Sequence, residues 1–555
     1  MLEHLFSRRW RALACSGISG AGLVVSGLLA LPAAAASSAM LYVSPNGSTG
    51  AADAGCTSAA YSSISSAIGA ASTGDTIVAC QGTYDEGVTI AGKAITLLGS
   101  QATVDATGQT EGVVIEGPAS AGSVLQGFTI EKARREGILV QGTSGVTVEN
   151  NVVTGNDLSC QPQTGLDDCG EGIHLRAVTA SYVTGNYVSG NTGGILVTDG
   201  IPAGSTGQFA FGYSTPYSGP SSGNVIEHNA SVDNIWDCGI TLPSHNSLAV
   251  SSNGAPQPAQ GGVFGNTIEN NVAEGDGTAG GGGGGILIAA PFPGTGSYDN
   301  TIEGNTVGGN GLPGILVHSH APGQDVNGNH VLDNTVGTNA IGETSLGPGV
   351  FTTGGGPGDS DAHVTVTTGI LVYSAVDHVS GTVVSGNRIT GDHYGIWTSN
   401  VDTSGFSSNT FSDVTVPSYA EPAPGSGYLL VASDGGAFAL GAMAFEGSAA
   451  GTSSTGTSST GTSTVGVALT PDGGGYWIAS SDGSVQAFGD ATFHGSLHSM
   501  KLSAPVVGIA ATSDGGGYWL VASDGGVFAL GDATFHGSLH SMKLSAPVVG
   551  IAKVG

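Results

Sequence analysis

The chain has 555 residues, 97 of them glycine, and its 12 Lys and Arg stand against 42 Asp and Glu for a formal net charge of −30. Charged residues make up 10% and apolar residues 39%, a balance short of the cationic face a nucleic-acid binder needs and too apolar for a disordered chain. Glycine lacks the every-third-residue period of collagen, and the length implies a large body with at least one further domain.

Residues 1–36 read as an export signal peptide: Arg8, Arg9 and Arg11 open it, an apolar stretch runs from Ile18 to Leu31, and small residues close it in "PAAAASSA". Removing it leaves a net charge of −32, so the acidity belongs to the exported chain, expected to be secreted or at the cell surface. No other stretch approaches the ~18 unbroken apolar residues of a membrane span. In an oxidising compartment the expected disulfides are Cys56–Cys80 and Cys160–Cys169, which leaves Cys238, in "DCGITL", as a buried small hydrophobe.

Residues 61–71, "YSSISSAIGAA", have amphipathic spacing and suit a capping helix, and "GDTIVACQGTYDEGVTIAGKAITLLG" supplies the first strands, an N-terminal cap over about 40–100. One motif then recurs: "GILV" at Gly137, "GIHL" at Gly172, "GILV" at Gly194, "GITL" at Gly239, "GILI" at Gly285, "GILV" at Gly314 and Gly369, and "GIWT" at Gly395. Its tightest spacing, 22 residues from Gly172 to Gly194, fits two or three short strands and their turns, one coil of a parallel β-helix. Aliphatic residues at alternate positions point inward, glycines allow positive φ at the corners, and Asn151, Asn186, Asn305, Asn334 and Asn387 are expected to stack their amides from coil to coil.

"LYVSPNG", the short helix, "GDTIVACQGTY" and the Asn/Gly coils resemble the secreted right-handed parallel β-helix (pectin lyase-like) superfamily, which includes pectate lyases, polygalacturonases and alginate epimerases, over roughly 40–416. The resemblance implies an all-β, right-handed solenoid and a polysaccharide or cell-wall glycan as partner. The same solenoid also serves tailspikes, adhesins and noncatalytic binders, so it implies fold more than function. No diagnostic catalytic block of the lyase, polygalacturonase or epimerase families is present.

Aligning the coils on "GI" turns Ile173 and Leu175 inward and His174 and Arg176 outward. The outward column Leu139, His174, Leu196, Thr241, Leu287, Leu316, Leu371, Trp397 is apolar enough to need a cover, and the inserts 199–223, 243–264, 289–298, 319–328 and 341–368 all leave just after it. Two polar clusters interrupt the column. In the first, Glu136 lies one coil below Glu171, near Asp167, Asp168, His174 and Arg176. Close carboxylates need a cation, a shared proton or an arginine, so Glu136, Asp167, Asp168 and Glu171 are a candidate Ca²⁺ set, with His174 or Arg176 as general base or charge neutraliser. The alternative is a hydrolase whose paired carboxylates act as acid and base. The second cluster is His318 and His320 with Tyr373, Asp392, His393 and Tyr394, residue types that divide proton abstraction and donation at a sugar carbon. Trp397, Tyr373, Asp199 and Asp237 are candidate substrate-binding residues on the same face.

Residues 417–426 read as a linker, and from 427 to 555 the grammar changes to a repeat of about 42 residues. Gly489–Ala510 recurs unchanged as Gly531–Ala552 after a degenerate first copy, "GYLLVASDGGAFALG". The repeats resemble four-stranded propeller blades and the "GYWLVASDGG" repeats of actinobacterial surface proteins. Fewer than three full copies cannot close a ring of ~4–8 blades alone, which leaves an open meander, an oligomerising module or a remnant. Two function classes follow: an extracellular polysaccharide lyase, hydrolase or epimerase working along the insert-lined face, or a noncatalytic surface protein binding glycan there. A net −32 repels polyuronates unless cations intervene.

Overall fold

The computed structural model describes residues 38–48, 54–157, 171–201, 217–251, 254–278, 283–319, 321, 323–339, 351–353, 362–364, 367–421, 427–441, 445–449, 463–471 and 473–554. Residues 1–37, among them the segment expected to be an export signal, and Cys160, Asp167, Asp168, Cys169 and His320 lie outside them. No helix among the described residues is long and apolar enough to cross a membrane.

The N-terminal cap is closed by a helix, α1 (Ile64–Ala70), whose Ile64, Ala67 and Ile68 are buried on the first coil. Its start is held by Ser63 Oγ, which accepts from Ser66 N at 3.2 Å, and by Glu86, whose carboxylate accepts from Ile64 N (2.7 Å) and Ser65 N (3.0 Å). Its end is closed by Lys93 Nζ, donating to Ile68 O at 2.9 Å and Ala71 O at 2.6 Å. The expected Cys56–Cys80 disulfide is present across 24 residues. Closing a loop of that length contributes about 3 kcal/mol by restricting the unfolded chain. Cys56→Ser is therefore expected to lower the denaturation free energy of the cap by about that amount, and a midpoint unchanged by reductant would refute it.

Beyond the cap the chain winds into a parallel β-helix. One face is a sheet of eleven parallel strands: β1 (Val88–Ala91), β2 (Val113–Glu116), β3 (Ile138–Gln141), β4 (Glu171–Arg176), β5 (Gly193–Thr198), β6 (Ile240–Pro243), β7 (Ile286–Ala290), β8 (Ile315–Ser319), β9 (Thr368–Ser374), β10 (Tyr394–Ser399) and β11 (Val416–Glu421). Each pairs in parallel with the next, so the solenoid extends into residues that composition marks as linker. The register is the one expected from the "GI" step: Leu139, His174, Leu196, Thr241, Leu287, Leu316, Leu371 and Trp397 are Cα partners in succession. The alternate residues, such as Ile173, Leu175, Ile195 and Val197, are buried in one continuous aliphatic core.

The corners carry more than the single Asn column expected. Asn151, Asn186, Asn229, Asn271, Asn305, Asn334, Asn387 and Asn409 form one ladder, each side-chain amide donating to the Oδ1 of the next rung at 2.9–3.0 Å. Two further ladders run beside it. Asn224, Asn266, Asn300 and Asn329 form the second, and Asn156, Asn191, Asn234, Asp276, Asn310, Asn339 and Asp392 the third. Every rung also accepts a backbone N–H from the coil before it, as Asn271 Oδ1 does from Asn229 N at 2.9 Å. These side chains thus satisfy corner amides that would otherwise be buried unpaired.

The motif glycines have a different cause from the one expected. Corner glycines such as Gly185 (φ 64) do take positive φ. Gly172, Gly285 and Gly314 do not; a Cβ there would lie 2.8, 2.7 and 2.7 Å from the amide nitrogens of Asn191, Asn310 and Asn339. The glycine makes room for the ladder and for the core valine beside it, Val188 at Gly172 and Val307 at Gly285.

After the solenoid come short antiparallel sheets: β12 (Gly427–Val431) with β13 (Ala437–Gly441); β14 (Thr464–Leu469), β15 (Gly475–Ser480) and β16 (Val485–Gly489); and β17 (Val506–Ala511), β18 (Gly517–Ala522) and β19 (Val527–Gly531). The two complete sheets have three strands among the described residues, not the four expected of a blade. Trp477, Tyr476 and Tyr518 are fully buried between sheets, and Trp477 Nε1 donates to Thr492 O at 2.7 Å, which makes these rings packing residues.

Candidate functional site

The entry to β2, β3 and β4 repeats a glutamate before the motif glycine. Gly112 N donates to Glu136 O and Gly137 N to Glu171 O, both at 3.0 Å, which places Glu111, Glu136 and Glu171 in one column on consecutive coils. Glu111 is half-buried, while Glu136 and Glu171 are buried. The Glu171 carboxylate packs on Gly193, where a side chain has no room.

Beside this column the outward residues of β4 and β5 close a network. His174 Nδ1 lies 3.1 Å from Glu136 Oε1, and its Nε2 lies 2.8 Å from Thr198 Oγ1. Facing a carboxylate oxygen, Nδ1 is the donor. Arg176 Nη2 stands 3.5 Å from the same Glu136 oxygen and 3.4 Å from His174 Nδ1. All four side chains are buried. Burial pushes the Glu136 carboxyl up, but the hydrogen bond from His174 and the charges of His174 and Arg176 outweigh it and hold Glu136 below the usual carboxylate range. Glu111 goes the other way, pushed up by burial and then by the charge of Glu136. The two carboxyls in adjacent coils are thereby shifted in opposite directions.

The insert-lined face is covered in part by described residues. Tyr217, on the return of the 199–223 insert, lies with its ring on Gly142 and its hydroxyl towards Gly117, half-buried over β2 and β3. Below it Gln141 Nε2 donates to Glu116 Oε2 at 2.9 Å. Asp199, expected to bind substrate, is instead spent on holding the next insert. It is buried and accepts from Ser244 Oγ (2.8 Å), His245 N (2.7 Å), Asn246 N (3.2 Å) and Gly262 N (2.7 Å). His245, half-buried beside it, is pushed down to about 4 by burial, with Asp199 opposing and Arg176 adding to the shift. Asp237 accepts from Cys238 N at 2.6 Å, and Cys238 is buried as expected.

For the metal expectation, Glu136 already faces Arg176 and His174, so its charge is balanced from within the chain. Among the described residues no group of three or more His, Cys, Asp or Glu is arranged to hold an ion. Asp167, Asp168 and the Cys160–Cys169 pair lie outside the described residues.

The second expected cluster is separate from the first. His318 and Tyr373 are buried register partners on β8 and β9, and β8 lies three intervening strands from β4, about 19 Å at ~4.8 Å per strand. Tyr373 and Trp397 pack with Leu316 and Leu371 and give the outward column its own apolar core. At its upper end His393 meets Tyr394 edge-on at 4.6 Å, Tyr394 lies 4.8 Å from Trp397, and Tyr419 of β11 lies 5.4 Å from Tyr394. Tyr419 is exposed.

Residues 103–356 match the family model described as "Right handed beta helix region". The solenoid is a right-handed parallel β-helix. No curated protein matches the chain by sequence. Among solved structures, this β-helix is similar to pectate lyase Pel9A at 18% identity (63% of this chain, 78% of that one, TM-score 0.37). It is also similar to the alginate lyase from Paenibacillus sp. str. FPU-7 at 15% (63% and 95%, TM-score 0.34). A third is PfbA, a surface adhesin of Streptococcus pneumoniae, at 13% (68% and 94%, TM-score 0.36). Within the β-helix, the residue missed from sequence is Glu111. Its signal was the "EG" step opening three successive coils, in "TEGVV", "REGIL" and "GEGIH".

Proposed function

We propose that the chain is an exported polysaccharide-processing β-helix protein that works by proton transfer on the insert-lined face. The supporting observation is the column that sets Glu111 and Glu136 in adjacent coils, with Glu111 shifted up chiefly by burial and Glu136 held down by His174 and Arg176 against its own burial. Paired carboxyls whose surroundings shift them in opposite directions are what acid–base chemistry at a glycosidic bond uses. Glu111, half-buried, is placed to give a proton to a leaving oxygen. Glu136 stays ionised behind it, and His174 and Arg176 act through Glu136 by fixing its charge and orientation. The formal charge of −30 favours a neutral glycan over a polyuronate.

The test is a panel of neutral and acidic polysaccharides, with and without added Ca²⁺, followed for reducing ends and for unsaturated products. Turnover of a neutral glycan is expected to fall by about 10²-fold or more in Glu111→Gln. It is also expected to decline as rising pH ionises Glu111. Unchanged turnover in that variant rejects the assignment. The aromatic group of His393, Tyr394, Trp397 and exposed Tyr419 supports a second reading, noncatalytic glycan binding by stacking. Binding without turnover across the panel, weakened by Tyr419→Ala, would put it in place of the first.

A further inference from the structure

Two glycines close strands of the insert-lined face, Gly117 after β2 and Gly142 after β3, at φ 79 and φ 60. Both lack a side chain where Tyr217 lies: a Cβ on Gly142 would overlap its ring, and one on Gly117 would stand 2.9 Å from its hydroxyl oxygen. The ring is thereby seated over the ends of two adjacent strands. Burial, then the charge of Glu116, pushes the Tyr217 hydroxyl above its ordinary value, so it stays protonated and able to donate at neutral pH.

That seat lies at one end of a step in the solenoid surface. Thr89, Val114 and Leu139 are Cα partners in succession on β1, β2 and β3. Thr89 is exposed, Val114 half-buried and Leu139 buried, so the face is open on β1 and covered on β3. The edge between the two follows β2. Glu111 stands two residues before that strand and Glu116 ends it, a separation of five residues, at most about 17 Å at ~3.3 Å per residue.

The far end of the edge carries groups of the kind that hold a sugar. Glu116 Oε2 accepts from Gln141 Nε2 at 2.9 Å, which fixes the carboxyl across two coils and leaves lone pairs for sugar hydroxyls. The Tyr217 ring offers an apolar surface with a polar tip. Glu116 and Tyr217 are both half-buried, seated on the solenoid yet within reach of a ligand.

We infer that Glu116 and Tyr217 form a distal subsite, and that the substrate is an oligosaccharide chain lying along β2 with its reacting bond at Glu111. The inference rests on the acid role proposed for Glu111 and adds the direction and the minimum length of the substrate. A single sugar cannot touch both ends of the edge, whereas a chain of several can. Contacts remote from the reacting bond serve to orient it, so shorter chains should lose kcat as well as affinity.

The experiment uses the full chain and the disaccharide-to-hexasaccharide series of a neutral glycan that it turns over or, without turnover, binds. Both kcat/KM and affinity by calorimetry are expected to rise with length up to the chain that spans the edge. Tyr217→Ala is expected to cut the hexasaccharide-to-disaccharide ratio by about 2–10-fold, and Tyr217→Phe to keep most of it. Gly142→Ala puts a methyl group where the ring lies and should lower the same ratio by displacing it. Glu111→Gln is expected to lower turnover at every length and to leave the affinity ratio in place. Equal values along the series in the unsubstituted chain, no measurable affinity for any member, or Tyr217→Ala losses that are absent or equal on long and short substrates would each overturn the subsite while the Glu111 assignment stands. Turnover unchanged in Glu111→Gln would reject that assignment, and the affinity ratio alone would then decide the subsite.

Discussion

Asp276→Asn is expected to stabilise the solenoid at neutral pH, by about 1–3 kcal/mol. In the third ladder each neighbouring rung offers an amide nitrogen to the Oδ1 of the next, as Asn310 Nδ2 does to Asn339 Oδ1 at 2.9 Å. Asp276 has an oxygen at that position. Its Oδ1 takes the bonds of Asn234 N (3.0 Å) and Nδ2 (2.8 Å), but Oδ2 is buried without a hydrogen-bond partner among the described residues. Burial accordingly pushes the Asp276 carboxyl well above its ordinary value. Asp392, two rungs beyond Asn310, has the same unpartnered Oδ2 and is pushed up to about 7, again chiefly by burial.

Both folded-state values are raised above the unfolded one, so the stability these carboxyls contribute is fully present below about pH 4 and is lost as pH rises; for Asp392 the loss is complete above about pH 7. The gain from Asp392→Asn should therefore widen between pH 5 and pH 8, with a ceiling of about 4 kcal/mol set by the shift. Chemical denaturation of both variants at the two pH values measures it. A gain of the same size at pH 5 and pH 8 would show that ionisation is not the cause.

Asn271→Leu is expected to destabilise the solenoid strongly, by about 2–5 kcal/mol. Asn271 Oδ1 accepts from Asn229 N and Nδ2 at 2.9 and 3.0 Å, and its Nδ2 donates to Ile226 O at 2.8 Å and Asn305 Oδ1 at 3.0 Å. Leucine keeps the volume but takes the side-chain partner from Asn229 N and Ile226 O, at about 1–3 kcal/mol for each buried group, while Asn305 Oδ1 keeps the backbone N–H of residue 271 and Asn229 Nδ2 keeps Val183 O. Because each coil touches only its neighbours, the loss should be local. Hydrogen exchange is expected to speed up in the coils carrying Asn229 and Asn305 before the rest of the chain responds. Asn271→Asp should also destabilise at neutral pH, since it recreates the defect at Asp276. A cost below about 1 kcal/mol for the leucine variant would mean that the corner amides find other partners.

The register of the outward sheet was legible because strand alternation allows only one answer once the "GI" steps are aligned. That fixed Glu136, His174 and Arg176 as neighbours before any coordinate. The ladders were half legible. Asn266, Asn271 and Asp276 stand five residues apart, as do Asn300, Asn305 and Asn310, and that period carries all three columns; read as Asn/Gly doublets, it yields one. The role of Asp199 was not legible, because an insert has no period and its return path depends on which buried acceptor captures its backbone. The Glu111 column was hidden for a smaller reason: its coil opens "EGVV", with Val113 in place of the isoleucine used to align the others.

The corner ladders bear on how long such a molecule can be. In the all-asparagine run from Asn186 to Asn387 each rung receives a backbone N–H and a side-chain N–H from one side and offers the same two groups to the other, so nothing in such a rung records its distance from either end. At that corner the coils are alike, and the growth of the stack is self-templating. Only features outside the ladder stop it: α1 with its disulfide at one end, and at the other the step from Asn409 into β11. The ladder prescribes the path of the chain and leaves its length open.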